Sequence, residues 1–160
     1  MKRALIVLSL AAGGLILSGC SAATSSYDEV RIEADEVLRQ VSDLVPEPKD
    51  VVPTEGIQPY SCDDDLIFGK SKGKFYTGQW AVFVDESFDI ASFISTVPDA
   101  LGDGWSEQSL GVPVNFAQVY LVRDSPRMSL TVRELTIDGR KAIDLLAISR
   151  CGILPATPAP

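Results

Sequence analysis

Histidine is absent from the 160 residues. Without an imidazole the chain cannot assemble a Ser-His-Asp or Cys-His catalytic arrangement, and most zinc ligand sets are closed to it. Basic residues are outnumbered: Lys and Arg total 14 against 22 Asp and Glu, a formal net charge of −8. Nucleic-acid affinity rests on Lys and Arg neutralising phosphates, so this balance excludes nucleic acid as a partner. An acidic surface is also repelled by anionic lipid head groups. Cysteine is scarce, with three in all: Cys20, Cys62 and Cys151. The one extended apolar stretch, Ala4 to Leu17, is interrupted by Gly13-Gly14 and falls short of the ~20 apolar residues that a membrane span requires.

That stretch has a different meaning. Met1-Lys2-Arg3 precedes it and Leu17-Ser18-Gly19-Cys20 follows it. A basic start, a short apolar core and small residues before a cut are the parts of a secretory signal. An ordinary signal peptide needs no cysteine after the cut. Here the cut falls before one, and the pattern resembles the bacterial lipobox. The resemblance implies that residues 1–19 are removed and that Cys20 becomes a lipidated N-terminus. Acyl chains on one residue make a stable anchor, since each buried methylene is worth about 0.8 kcal/mol. Lys2 and Arg3 leave with the signal, so the mature chain is more acidic still.

Residues 20–25 read as a short tether, and 26–154 is one domain's worth of chain. Ser26-x-x-Glu29 is a capping box opening a helix over 26–45. Val30, Ala34, Val37, Val41 and Leu44 follow at helical spacing, with Leu38 and Val45 widening the stripe, and Pro46 ends it. Residues 46–61 carry four prolines and no period, and read as an extended connector. Gly69 to Lys74 reads as a basic loop. Trp80 to Val84 is a buried strand. Ile90, Phe93, Ile94, Val97 and Leu101 return to helical spacing, with Ser87 or Asp89 as cap and Pro98 expected to kink or divide the helix. Trp105 begins the next strand. Further strands are expected over Val114–Val122, Met128–Leu135 and Ala142–Arg150, the last two joined by Asp138-Gly139, a strong two-residue hairpin signal. Residues 155–160 read as a disordered tail.

The expected fold is α+β, an antiparallel sheet of about four to five strands with two helices packed on one face. The hairpin sets its own register. Ile137 faces Arg140, Val132 faces Leu145 and Leu130 faces Ala147, so Met128, Leu130, Val132, Ile143, Leu145 and Ala147 share the core face. Arg133 and Asp144 then meet on the opposite side as an exposed pair worth at most about 1 kcal/mol.

With Cys20 given to lipid, Cys62 and Cys151 remain as an even pair in an exported chain, which predicts a disulfide rather than two free buried thiols. The order of lipobox, acidic helix, cysteine before the first strand, Gly104-Trp105 at a strand entry and a last strand ending in cysteine resembles the small lipoproteins of actinobacteria. The resemblance implies an anchor in the outer leaflet of the cytoplasmic membrane and assigns no activity.

Little catalytic chemistry is in view. Gly69-Lys70-Ser71 looks like the end of a phosphate loop, but Asp64 stands where the first glycine belongs. Asp63, Asp64 and Asp65 are hard oxygen ligands that could hold Ca²⁺. Consecutive acids do not converge on one ion, however, and the EF-hand spacing is missing, so a solvated acidic turn is expected and no metal or cofactor. Trp80, Phe83, Phe93 and Trp105 read as core rather than as a ligand pocket. The expected function is a non-catalytic binding module of the cell envelope, held to the membrane through Cys20. The alternative is a carrier of a small apolar ligand between helices and sheet, and an enzyme using carboxylates alone ranks below both.

Overall fold

The computed structural model describes residues 25–62 and 73–155. Helix α1 (Tyr27–Leu44) starts where the capping box predicts. The Ser26 hydroxyl accepts from the Glu29 N–H at 3.2 Å, and the Glu29 carboxylate accepts from the Ser26 N–H at 2.8 Å. Asp28 and Glu29 lie in the first turn, at the positive end of the helix dipole. The last turn holds no basic residue of its own. Lys49, just beyond it, donates its ammonium to the carbonyls of Ser42 and Val45 at 2.8 and 2.7 Å, placing a positive charge at the C-terminal end of the helix. Val30, Ala34, Val37, Leu38, Val41 and Val45 are buried, whereas Leu44, assigned to the same stripe, is 41% exposed in the last turn.

The connector is more ordered than its composition suggests. It supplies two short strands, β1 (Lys49–Pro53) and β2 (Tyr60–Ser61), which both pair with β3 (Gly73–Val84). Pro53 is tolerated as the last residue of an edge strand, where a missing N–H need not break a ladder. Strand β3 extends seven residues upstream of the expected Trp80, taking in Gly73 and Lys74 from the basic loop. Helix α2 (Ile90–Leu101) follows, capped by Asp89, whose carboxylate accepts from the Ser92 N–H at 3.0 Å. Pro98 neither ends nor divides it. Buried Val97 and half-buried Leu101 hold the last turn on the core, which offsets the one hydrogen bond lost.

Strands β4 (Trp105–Glu107), β5 (Gln118–Asp124), β6 (Arg127–Ile137) and β7 (Arg140–Ile153) complete an antiparallel sheet in the order β1-β3-β7-β6-β5-β4. The class is α+β as expected, but the sheet has seven strands rather than four or five, the two additions coming from the connector. The β6–β7 hairpin has the register set by its turn, with Ile137 opposite Arg140, Val132 opposite Leu145 and Leu130 opposite Ala147. Asp138 and Gly139 both take positive φ, 50° and 78°, as a two-residue turn between twisted strands requires. Met128, Leu130, Val132, Ile143, Leu145 and Ala147 are all buried under the helices. Fully burying a side chain of this size stabilises by about 1.5–3 kcal/mol, so a one-residue slip, which would turn all six outward, is strongly excluded.

One end of the sheet is tied to the start of α1. The Ile153 N–H donates to the Ser25 carbonyl at 2.9 Å, and Ser26 forms a parallel bridge with Ile153. Gly152 allows this approach, because a Cβ there would stand 2.7 Å from the Tyr27 Cα. Arg150 reinforces the tie by pairing with Glu33 of α1 and donating to the Ser25 hydroxyl at 2.8 Å. The bond to Glu33 raises the guanidinium pKa above its usual value. Cys62 and Cys151 are bonded close by, with Cα atoms 5.8 Å apart, and the bond packs so tightly on Gly73 that a Cβ there would lie 2.2 Å from the Cys151 Sγ.

Candidate functional site

The helices cover one face of the sheet. On that side the buried residues of α1 and α2 fill the space against β3, β5, β6 and β7. Trp80, Phe93 and Trp105 pack against this core, and the Arg123 guanidinium lies 5.0 Å over the Trp105 ring. Phe83 points to the other face, under the Arg140 guanidinium at 4.0 Å. Trp80, Phe93 and Trp105 are thus packed on the core as expected, whereas Phe83, expected there too, lies on the opposite side of β3 because strand alternation turns it away from buried Val82.

The opposite face carries no helix among the described residues. Alternation along the strands puts Phe75, Thr77, Tyr120, Val122, Ser129, Leu146 and Ile148 on it. Two broad grooves run over it. One, of about 910 Å³, includes Phe75, Tyr120, Val122 and Ile148 and reaches Arg150 and Ile153 at the tied end. The other, of about 610 Å³, is lined by Ile57, Tyr60, Phe75, Leu146 and Ile148 among others. Asp144 also lies on this face, and the structure corrects the reading of it as half of an exposed pair. The residue is 2% exposed, its carboxylate held by Arg133 Nε at 2.7 Å and by the Gln79 amide at 2.8 Å. Among the described residues it is the one buried acid, and both of its oxygens are engaged.

At the end of the sheet away from the tie, β5 and β6 part company. The sequence pattern predicts a strand from Val114, but pairing begins only at Gln118, opposite Arg133. Ahead of it runs a loop in which Leu110, Val112, Val114 and Phe116 are 49, 68, 43 and 39% exposed. Gly111 and Pro113 interrupt the alternation, and Pro113 cannot donate to a ladder. From Gln108 to Val122 there is no charged residue. The missed signal was legible: a charge-free stretch with apolar residues at every second position, broken by Gly and Pro.

The loop leaves a gap beside β6. The Glu134 N–H donates to the Ala117 carbonyl at 2.8 Å, the last backbone bond between the two segments. Beyond it β6 continues to Ile137 paired only with β7. A groove of about 460 Å³ lies there, lined by Asn115 and Phe116 on one side and Arg133, Glu134, Leu135 and Thr136 on the other. Its charges are engaged: Arg133 with Asp144, and the Glu134 carboxylate with the Ala117 N–H at 3.4 Å.

Of the residues singled out from sequence, Cys62 and Cys151 come together in the predicted disulfide. Cys20, Asp63, Asp64 and Asp65 lie outside the described residues. Among the described residues no cluster of three or more Cys, Asp or Glu could hold a metal ion, and no helix is long and apolar enough to cross a membrane. Comparisons with protein-family models, with curated proteins and with solved structures found no match to this chain.

Proposed function

We propose that this chain is a membrane-anchored extracytoplasmic lipoprotein, lipidated at Cys20, whose domain is a non-catalytic binding module of the cell envelope. The observation that carries the reading is the position of the apolar loop Leu110–Phe116. Ser25, the last residue of the tether and the first described one, is bonded to Ile153 at one end of β7, whereas the loop meets the sheet beside Glu134, which lies opposite Ile143. At the usual rise per residue the ten-residue separation from Ile143 to Ile153 is roughly 33 Å. The tether from Cys20 to Ser25 spans at most about 18 Å. The lipid thus holds one end of the sheet and leaves the uncharged apolar loop at the other. Exposed apolar patches on otherwise acidic, soluble surfaces mark interaction sites.

A second reading, carriage of a small apolar ligand, draws on the grooves over Phe75, Leu146 and Ile148. It is the lesser of the two, because those grooves are wide and shared with polar side chains, while the space between helices and sheet is occupied by the core.

Membrane fractionation tests the anchor. The wild-type chain is expected in the membrane fraction and Cys20→Ala outside it, and Cys20→Ala persisting in washed membranes would refute lipid attachment. Crosslinking of the anchored form in its own membranes tests the module. Any crosslinked partner is expected to be lost with Val112→Ser and kept with Ile32→Ser, an exposed apolar residue of α1 (61%). Equal yields from both variants would refute the loop as the binding element.

A further inference from the structure

The edge of β6 beside the apolar loop has the chemistry of a strand acceptor. Residues 134–137 pair with β7 on one side, in the order Glu134 with Ile143, Leu135 with Ala142, Thr136 with Lys141 and Ile137 with Arg140. In an antiparallel ladder the N–H and C=O of successive residues point alternately to either side. The Glu134 N–H points away from β7, since it donates to Ala117. Thr136, two residues on, therefore also directs its N–H and C=O away from β7, into the gap. No described strand fills that gap, and no backbone hydrogen bond joins residues 135–137 to the loop.

We propose that this edge receives an extended, uncharged apolar segment of a partner protein, which adds a short strand beside β6. This deepens the reading of the domain as an envelope binding module and rests on it for the partner's location. Three observations select the occupant. The in-plane donor and acceptor of Thr136 call for an extended backbone, the mode by which open sheet edges take up peptides. Phe116 and Leu135 stand on the two walls of the groove and offer apolar contacts to alternate side chains. Arg133 is neutralised by Asp144, the Glu134 carboxylate is turned to the Ala117 N–H, and no charge lies between Gln108 and Val122, which favours an uncharged apolar segment over a charged one. Unpaired edges are normally blunted by lysine or proline. Here Thr136 is exposed and carries neither.

The test uses the isotope-labelled full chain in detergent micelles, followed by amide NMR. The probe is an acetylated, amidated pentapeptide of alternating valine and threonine. Saturable shifts are expected at Leu135, Thr136 and Ile137, with none on adding the same peptide N-methylated at alternate residues. Thr136→Pro removes the donor facing the gap without touching the β7 ladder and should weaken binding about tenfold, as should Phe116→Ser. A dispersed spectrum for either variant shows that the fold survives, so failure of one leaves the other as the test. Three results would overturn the proposal. Equal binding of the N-methylated peptide would show that no strand forms. A Thr136 amide protected from exchange in the free protein would show that the chain's own loop covers the edge. Broadening of Val112 and Phe116 by a spin label embedded in the micelle would show that the loop seeks lipid instead of peptide. None of these depends on Cys20, so loss of the anchor reading in fractionation and loss of the strand reading here are separate outcomes.

Discussion

Breaking the Cys62–Cys151 bond is the perturbation whose size the structure allows to be worked out most directly. The two residues are 89 apart in sequence, so the bond closes most of the domain into one covalent loop. In the chain-entropy treatment a loop of that length removes unfolded-state entropy equivalent to about 4.5 kcal/mol at 25 °C. The folded state should change little when the bond is cut, because β3 and β7 remain paired along their length, including Phe75 opposite Cys151. The cost therefore falls on the unfolded chain, which gains freedom. The Cys62→Ser, Cys151→Ser double variant should remain folded but unfold at much lower urea. With a urea slope of about 2 kcal/mol/M, the midpoint should drop by roughly 2 M, and the slope should rise because the freed unfolded chain exposes more surface. Equilibrium unfolding followed by circular dichroism measures both. A midpoint shift below about 0.3 M would refute the chain-entropy reasoning and mean that the unfolded ensemble is held compact by something other than the bond.

Two further perturbations follow from particular contacts. Arg133→Met leaves the buried Asp144 carboxylate with the Gln79 amide alone, and breaking such a pair from one side costs about 3–5 kcal/mol, discounted here because Arg133 is itself 39% exposed. A loss of roughly 2 kcal/mol in urea unfolding is expected, and no loss would mean that water replaces the guanidinium. The Tyr76 hydroxyl donates to Asp35 of α1 at 2.6 Å, and burial followed by that bond raises its pKa well above the ordinary phenol. The folded state thus holds this proton more tightly than the unfolded chain. The stabilisation is complete below the unfolded value of about 10 and is lost as pH rises from there through the folded value. Thermal melts above about pH 10 should fall more steeply for the wild type than for Tyr76→Phe, and parallel curves would refute the coupling.

What the sequence determined by itself was local. The Ser26–Glu29 capping box, the 3.6-residue stripe of α1 and the Asp138-Gly139 turn are decided by neighbours within a few positions, and each is found where the pattern put it, apart from Leu44 at the end of the stripe. Period-2 alternation then carried the β6–β7 register outward from the turn, since one known pair in a ladder fixes the rest. The disulfide was legible from arithmetic, because reading Cys20 as a lipidation site leaves Cys62 and Cys151 only one intramolecular pairing. Tertiary structure decided what depends on partners distant in sequence. Lys49–Pro53 and Tyr60–Ser61 are short runs set among prolines, with no alternation long enough to read as strands, and become strands because β3 offers an open edge. Asp144 reads as a surface acid until Gln79, 65 residues away, and Arg133 close over it. Val114–Phe116 has the alternation of a strand yet leaves the sheet before Gln118, and only this divergence exposes both the apolar loop and the edge of β6. A pairing edge is a property of two chain segments in space, and single-segment patterns carry no record of which partner is missing.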